Sequence, residues 1–221
     1  MNKYFITLCD GPYEINRQRL NNIASVNGYN TISLNFSDLP FEFTDKVSNI
    51  LKIKRGLGLC VWKPYIILEA FKNMKEGEHI VYVDSADMLH PHIFSYIEQC
   101  LNSRDILLVP SPNHNLQKHF TKRDCFLMMN CDEQKYWDAL QIEAGFVVAK
   151  KKESVIQIFN EWLSFCMNEN IITDIPNISG LDNLPNFVTH RHDQSIMSNL
   201  AVKYNIPLDF NFLNFINHNV V

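Results

Sequence analysis

The chain has 221 residues with 46% hydrophobic and 20% charged side chains, values that exclude a disordered chain and provide enough apolar surface for one large domain. Its 24 acidic residues outnumber 20 basic ones, giving a net charge of -4. This excludes the basic surface that a nucleic-acid backbone requires, and no apolar run reaches the roughly 18 residues of a membrane span.

Elements of two lengths alternate along the chain. Tyr4–Leu8 reads as a first strand, and the run that contains it is too short for a secretory leader. Residues 13–27 follow as a helix with Leu20, Ile23 and Ala24 on one face, and Thr31–Phe36 reads as a second strand. Residues 37–62 read as irregular; Lys63-Pro64 then opens a helix, because proline suits a first turn. Ile80–Val83 is continuously apolar, as expected of a strand buried on both faces. A helix over 91–102, a buried strand Ile106–Val109, a strand Phe146–Ala149, and helices over 153–168 and 193–204 complete the pattern. Strand–helix alternation predicts a single α/β domain with a mainly parallel sheet flanked by helices. The long stretches 110–138 and 170–192 are expected to be functional or mobile loops. The six cysteines form no CxxC pair, which points to reduced thiols of a cytoplasmic protein.

Four segments carry chemistry. In the first, Asp84 and Asp87 follow the buried strand, and ligands of parallel sheets bind at the carboxyl ends of strands. Two such acids suit a hard divalent ion, Mn²⁺ or Mg²⁺, although an Asx-turn or helix cap uses the same residues. In the second, Arg55 to Pro64, glycines allow close backbone approach and Lys63 sits where a helix begins, as anion binding requires; the alternative is a tight turn anchored by Trp62. The third places Glu143 and Gly145 at the entry to a strand, where Glu143 is either a site acid or a solvated strand end. In the fourth, His190-Arg191-His192-Asp193-Gln194 opens the last helix and offers metal ligands, an anion clamp and a base; Asp193 as a helix cap is the competing reading.

The ordered runs RGLGLCVWKPYIILEAF, YVDSAD, QIEAGFVVAKK and HRHDQSIMS resemble nucleotide-sugar-dependent glycosyltransferases of the GT-A fold, over residues 3–205. They are similar to bacterial and viral surface-glycan enzymes that serve polysaccharide biosynthesis, and the last two runs also resemble glycogenin-like transferases. The resemblance implies a mixed, mainly parallel sheet, with a nucleotide-binding half, about 1–109, and an acceptor-binding half, about 110–221. It implies a nucleotide-sugar donor, a UDP-sugar foremost, and a glycan acceptor. Asp84 matches the first acid of the DxD motif; the second would fall at Ala86, and Asp87 one place later substitutes for it. The metal set implied is Asp84, Asp87 and His192. Donor contacts are expected from Cys9, Asp10, Tyr13, Lys63, Tyr82, Val83, Asp84, Ser85 and Gly145. Asp193 is the first candidate base and Glu143 the second if the enzyme inverts; if it retains, Gln194 or Asp193 faces the anomeric carbon. Two rival classes are a phosphohydrolase, whose acid motif VDSAD superficially resembles, and a non-catalytic nucleotide-sugar-binding module, which Ala86 favours. The absence of GxGxxG after the first strand excludes a dinucleotide oxidoreductase.

Overall fold

The computed structural model describes residues 1–217, so positions 218–221 of the expected acceptor half lie outside the described residues. Five strands form the central sheet: β1 (Lys3–Leu8), β2 (Asn30–Leu34), β3 (His79–Val83), β4 (Ile106–Pro110) and β5 (Ile142–Lys150). Their spatial order is β2-β1-β3-β5-β4. β1 runs parallel to both β2 and β3, whereas β5 is antiparallel to β3 and β4. The sheet is therefore mixed, with β5 alone reversed. That reversal positions the site, because it lays the start of β5 beside the end of β3: Val83 pairs with Phe146, and the Asp84 amide donates to the Gly145 carbonyl at 2.8 Å.

Alternation along the strands divides the core between the two faces. Ile80 and Tyr82 of β3 point to one face with Val147 and Ala149 of β5. There they meet helices α2 (Trp62–Lys72), α4 (Glu153–Cys166) and α5 (Asp193–Lys203) through Ile67, Phe71, Phe159, Trp162 and Met197. Val81, Val83, Phe146 and Val148 point to the other face, against α1 (Glu14–Val26) and α3 (Ile93–Leu101). Burial of each large side chain contributes roughly 1.5–3 kcal/mol, and both faces of β3 are filled this way.

Two expectations need correction. Residues 37–62 and 110–138 are not structureless, since short helices at Phe41–Lys46, Ser48–Leu51, Gln117–Phe120 and Arg123–Met128 occupy them. Single turns are too short to show an apolar period. Nor does the basic segment 118–124, inside a stretch expected to be a functional or mobile loop, stand out in solvent. Lys122 is buried, with Nζ donating to the carbonyls of Thr173 and Ile175 at 3.3 and 2.9 Å. The buried Asp124 carboxylate accepts from the Ile178 and Ser179 amides, so it ties the 170–192 stretch down. A further small pairing joins Met88–Leu89 to Ile216–Asn217. No described helix is long and apolar enough to cross a membrane.

Candidate functional site

The site is built around Lys63, on the first turn of α2, whose side chain is 2% exposed. An isolated buried ammonium is prohibitive, so its partners define the local architecture. Nζ lies 2.9 Å from Asp193 Oδ2 and 3.4 Å from Asp84 Oδ1, and it donates to the Ala144 carbonyl at 3.0 Å. The Tyr82 ring lies beneath it at 5.2 Å, and the Tyr82 hydroxyl donates to Asp84 Oδ1. Burial pulls the ammonium's pKa down, but the Asp193 and Asp84 carboxylates overcome this and hold it well above the ordinary lysine value. Burial pushes the Asp193 carboxyl up, with Lys63 pulling in the opposite direction. Lys63 is thus a fixed cation joining the tip of β3, the entry of β5 and the start of α5.

Asp193 does not cap α5: no side-chain cap hydrogen bond forms there, and its carboxylate reaches Lys63 instead. His192 precedes it with φ 54° and ψ -122°, a conformation that a non-glycine residue adopts only under constraint and that turns the chain inward. The Asp193 carbonyl accepts from Trp162 Nε1 at 3.0 Å, which fixes the turn against α4.

The acids after β3 crowd a single glycine. A Cβ on Gly145 would lie 2.7 Å from Asp87 Oδ2, 3.2 Å from Asp84 Oδ2 and 3.4 Å from Glu143 Oε1. Glycine leaves the carboxylates where they are, since a side chain there would force the Asp87 carboxylate to shift. Among the described residues no three His, Cys, Asp or Glu side chains are grouped to hold a metal ion. Mg²⁺ is commonly held by one or two carboxylates plus phosphates, so Asp84 and Asp87 are the residues that could hold a cation completing its shell with substrate oxygens. His192 lines the same cleft as Asp84, but its Nε2 is engaged with Asp174 Oδ2 at 2.9 Å.

Two clefts meet at this point. One, of ≈ 370 Å³, is lined by Asp10, Tyr13, Lys54, Trp62, Asp84 and Ser85, among others. The other, of ≈ 140 Å³, is lined by Arg55, Lys63, Asp84, Glu143, Gly145, Arg191, His192, Asp193 and Gln194, among others. Asp84, Gly56 and Cys60 belong to both walls. The dividing wall is a left-handed turn in which Gly56, Leu57, Gly58, Leu59 and Cys60 all have positive φ. A Cβ on Gly58 would come within 3.1 Å of the Leu51 backbone, so that glycine serves packing as well as conformation. Trp62 anchors the turn, as the tight-turn reading expects, with Nε1 donating to the Gly56 carbonyl at 3.1 Å; it also lines the larger cleft.

The structure thus gathers Asp10, Tyr13, Lys63, Asp84, Ser85, Glu143, Gly145, His192, Asp193 and Gln194 on two adjoining clefts. Cys9, Tyr82 and Val83 are buried behind the walls, where Tyr82 supports Asp84. Asp87 sits beside Gly145 rather than on the wall of either cleft. Sequence reasoning passed over Asp174 and Asn16. Asp174 lies in an irregular stretch; Asn16 occupies a helix with no signal beyond being polar, yet its Nδ2 reaches the carbonyls of Ser85 and Asp87.

No family model matches the chain, and no curated protein matches it. Solved structures do. The chain is similar to WbbM, a bifunctional glycosyltransferase, with a TM-score of 0.51 and 11% identity over 95% of this chain and 38% of that one. It also matches a glycosyltransferase involved in glycosylation of the major capsid of PBCV-1, with a TM-score of 0.43 and 14% identity over 86% of this chain and 82% of that one. Mouse xyloside xylosyltransferase 1 matches with a TM-score of 0.49 and 8% identity over 95% and 85%. The fold is that of GT-A-like glycosyltransferases, a mixed α/β domain around one sheet.

Proposed function

We propose that this protein transfers a sugar from a nucleoside-diphosphate sugar, a UDP-sugar foremost, to a hydroxyl of a glycan acceptor. The observation that carries the reading is the place of Asp84 on the wall shared by two clefts. A sugar nucleotide is itself bipartite, with its diphosphate at the joint. The nucleoside fits the larger cleft, with Tyr13 available to stack and Asp10 to accept a hydrogen bond. The sugar fits the smaller one, against Glu143, Gly145, Asp193 and Gln194.

In the reaction the acceptor oxygen forms a bond to the anomeric carbon as the bond from that carbon to the phosphate oxygen breaks. The nucleoside diphosphate leaves with the electron pair, and the hydroxyl proton must be accepted nearby. Asp193 is the first choice for that proton, because burial raises its basicity, and Glu143 is the second. When bound, a divalent cation such as Mn²⁺ or Mg²⁺ neutralises the leaving diphosphate, and Asp84 and Asp87 are the residues that would hold it. Arg55 and Arg191 add cationic charge to the same cleft. Lys63 holds Asp84 and Asp193 in place.

The test is a thermal-shift panel of nucleotide sugars with and without Mn²⁺, followed by mass-spectrometric detection of nucleoside diphosphate release. Stabilisation by one donor class, abolished in Asp84→Asn, is the expected result. A panel in which no donor raises the melting temperature or yields diphosphate refutes the assignment.

A further inference from the structure

We propose that Asn16 is a positioning residue for donor binding, a clamp that sets the acid loop after β3 against the nucleoside cleft. The inference rests on the function proposed above and deepens it.

Asn16 sits in the first turn of α1 and is 5% exposed. A buried amide is unfavourable unless hydrogen-bonded. Here both Nδ2 hydrogens are used far away in sequence, on the carbonyls of Ser85 at 2.8 Å and Asp87 at 2.7 Å. Its Oδ1 is buried with no hydrogen-bond partner among the described residues. An aliphatic side chain would leave no such orphan, so the amide is present for its two donors.

Those donors grip the backbone on either side of Ala86, within the turn closed by the Asp87 amide on the Asp84 carbonyl at 3.0 Å. Two bonds to carbonyls two residues apart fix the turn's span and its tilt relative to α1. The Asp84 and Asp87 carboxylates, which must converge beside Gly145, are carried on that turn. The other end of the clamp matters equally. Tyr13 lies three residues before Asn16, one helical turn away, and lines the ≈ 370 Å³ cleft opposite Asp84, Ser85 and Ala86. Asn16 therefore joins the wall that would receive the base to the wall that would receive the diphosphate, and sets the distance between them.

The experiment compares Asn16→Ala and Asn16→Asp with a control, Asn21→Ala. The control removes another asparagine side-chain bond on the same helix, the single exposed bond from Asn21 Nδ2 to Ser33 Oγ at 2.9 Å, away from the loop. Amide hydrogen exchange is read in the ligand-free protein, and binding of UDP with Mn²⁺ is read by calorimetry. Both Asn16 variants should speed exchange at residues 84–88 by about tenfold or more, weaken UDP by a similar factor, and raise the donor KM with the acceptor KM unchanged. Asn21→Ala should leave all of these near wild type. If Asn16→Asp fails to fold, Asn16→Ala alone decides the outcome. Unchanged exchange at 84–88 overturns the clamp, and faster exchange with unaltered UDP binding overturns its role toward the donor. Wild-type protein that binds no nucleotide or nucleotide sugar overturns the proposed function instead, while the exchange result still judges the clamp.

Discussion

The loop after β3 and the start of α5 each deliver one carboxylate to Lys63, but from different surroundings. The Asp84 side chain is 35% exposed, and its second oxygen turns toward Gly145 and Asp87. The Asp193 side chain is 9% exposed, pinned behind a strained His192 and against Trp162. The exposed partner remains available to a ligand, whereas the buried one depends on the lysine for its charge. One cation thus performs two tasks: it completes the fold at Asp193 and presents a site at Asp84.

The largest effect that would separate these tasks is removal of the cation. Lys63→Met leaves Asp193 buried without its counter-charge, and chemical denaturation should show a loss of about 3–5 kcal/mol. Adding Asp193→Asn should recover most of it; no recovery would mean that the pairing is not what stabilises α5. Next is Asp84→Asn, which should lower transfer by about 10³-fold while the melting temperature stays within a few degrees. Full activity would remove the site role from the exposed partner. Asp193→Asn should lower kcat by about 10²-fold or more and change donor Kd little, as measured by steady-state kinetics and calorimetry. Asp87→Ala should weaken the Mn²⁺-dependent stabilisation by donor about tenfold, read by thermal shift against Mn²⁺ concentration.

The smallest effect is one of pH. His190, next to this turn, is held well below the ordinary histidine value by burial, with His192 adding to it. The unfolded chain takes up a proton near roughly pH 6.5 that the fold refuses. Its contribution to stability is therefore complete above that pH and is lost as pH falls toward the depressed folded value. The melting temperature should fall on acidification, and by less in His190→Asn.

Much of this was legible in the chain. The run Ile80–Val83 announced a central strand, and Asp84 directly after it lies where two clefts meet. The mutual placement of Asp84, Lys63 and Asp193 followed from the resemblance, not from any spacing, since the three are far apart in sequence. What stayed hidden has physical causes. A buried apolar run looks the same whether a strand runs up or down, so the reversal of β5 could not be read from Phe146–Ala149. Asn16 bonds across about 70 residues, and a lone polar position on a helix carries no mark of its partner. Gly56 and Gly58 hinted at a turn, but Leu57, Leu59 and Cys60 gave no sign that they also adopt positive φ.

That turn has an outcome of its own. Leu57, Leu59 and Cys60 are wound against their natural handedness, at about 1–2 kcal/mol apiece. The partition between the two clefts is therefore a costly stretch of backbone. Glycine at any of the three should make the molecule hardier and its partition less well defined. A search for thermostable variants would be drawn to these positions first, and would blunt the boundary between the two clefts.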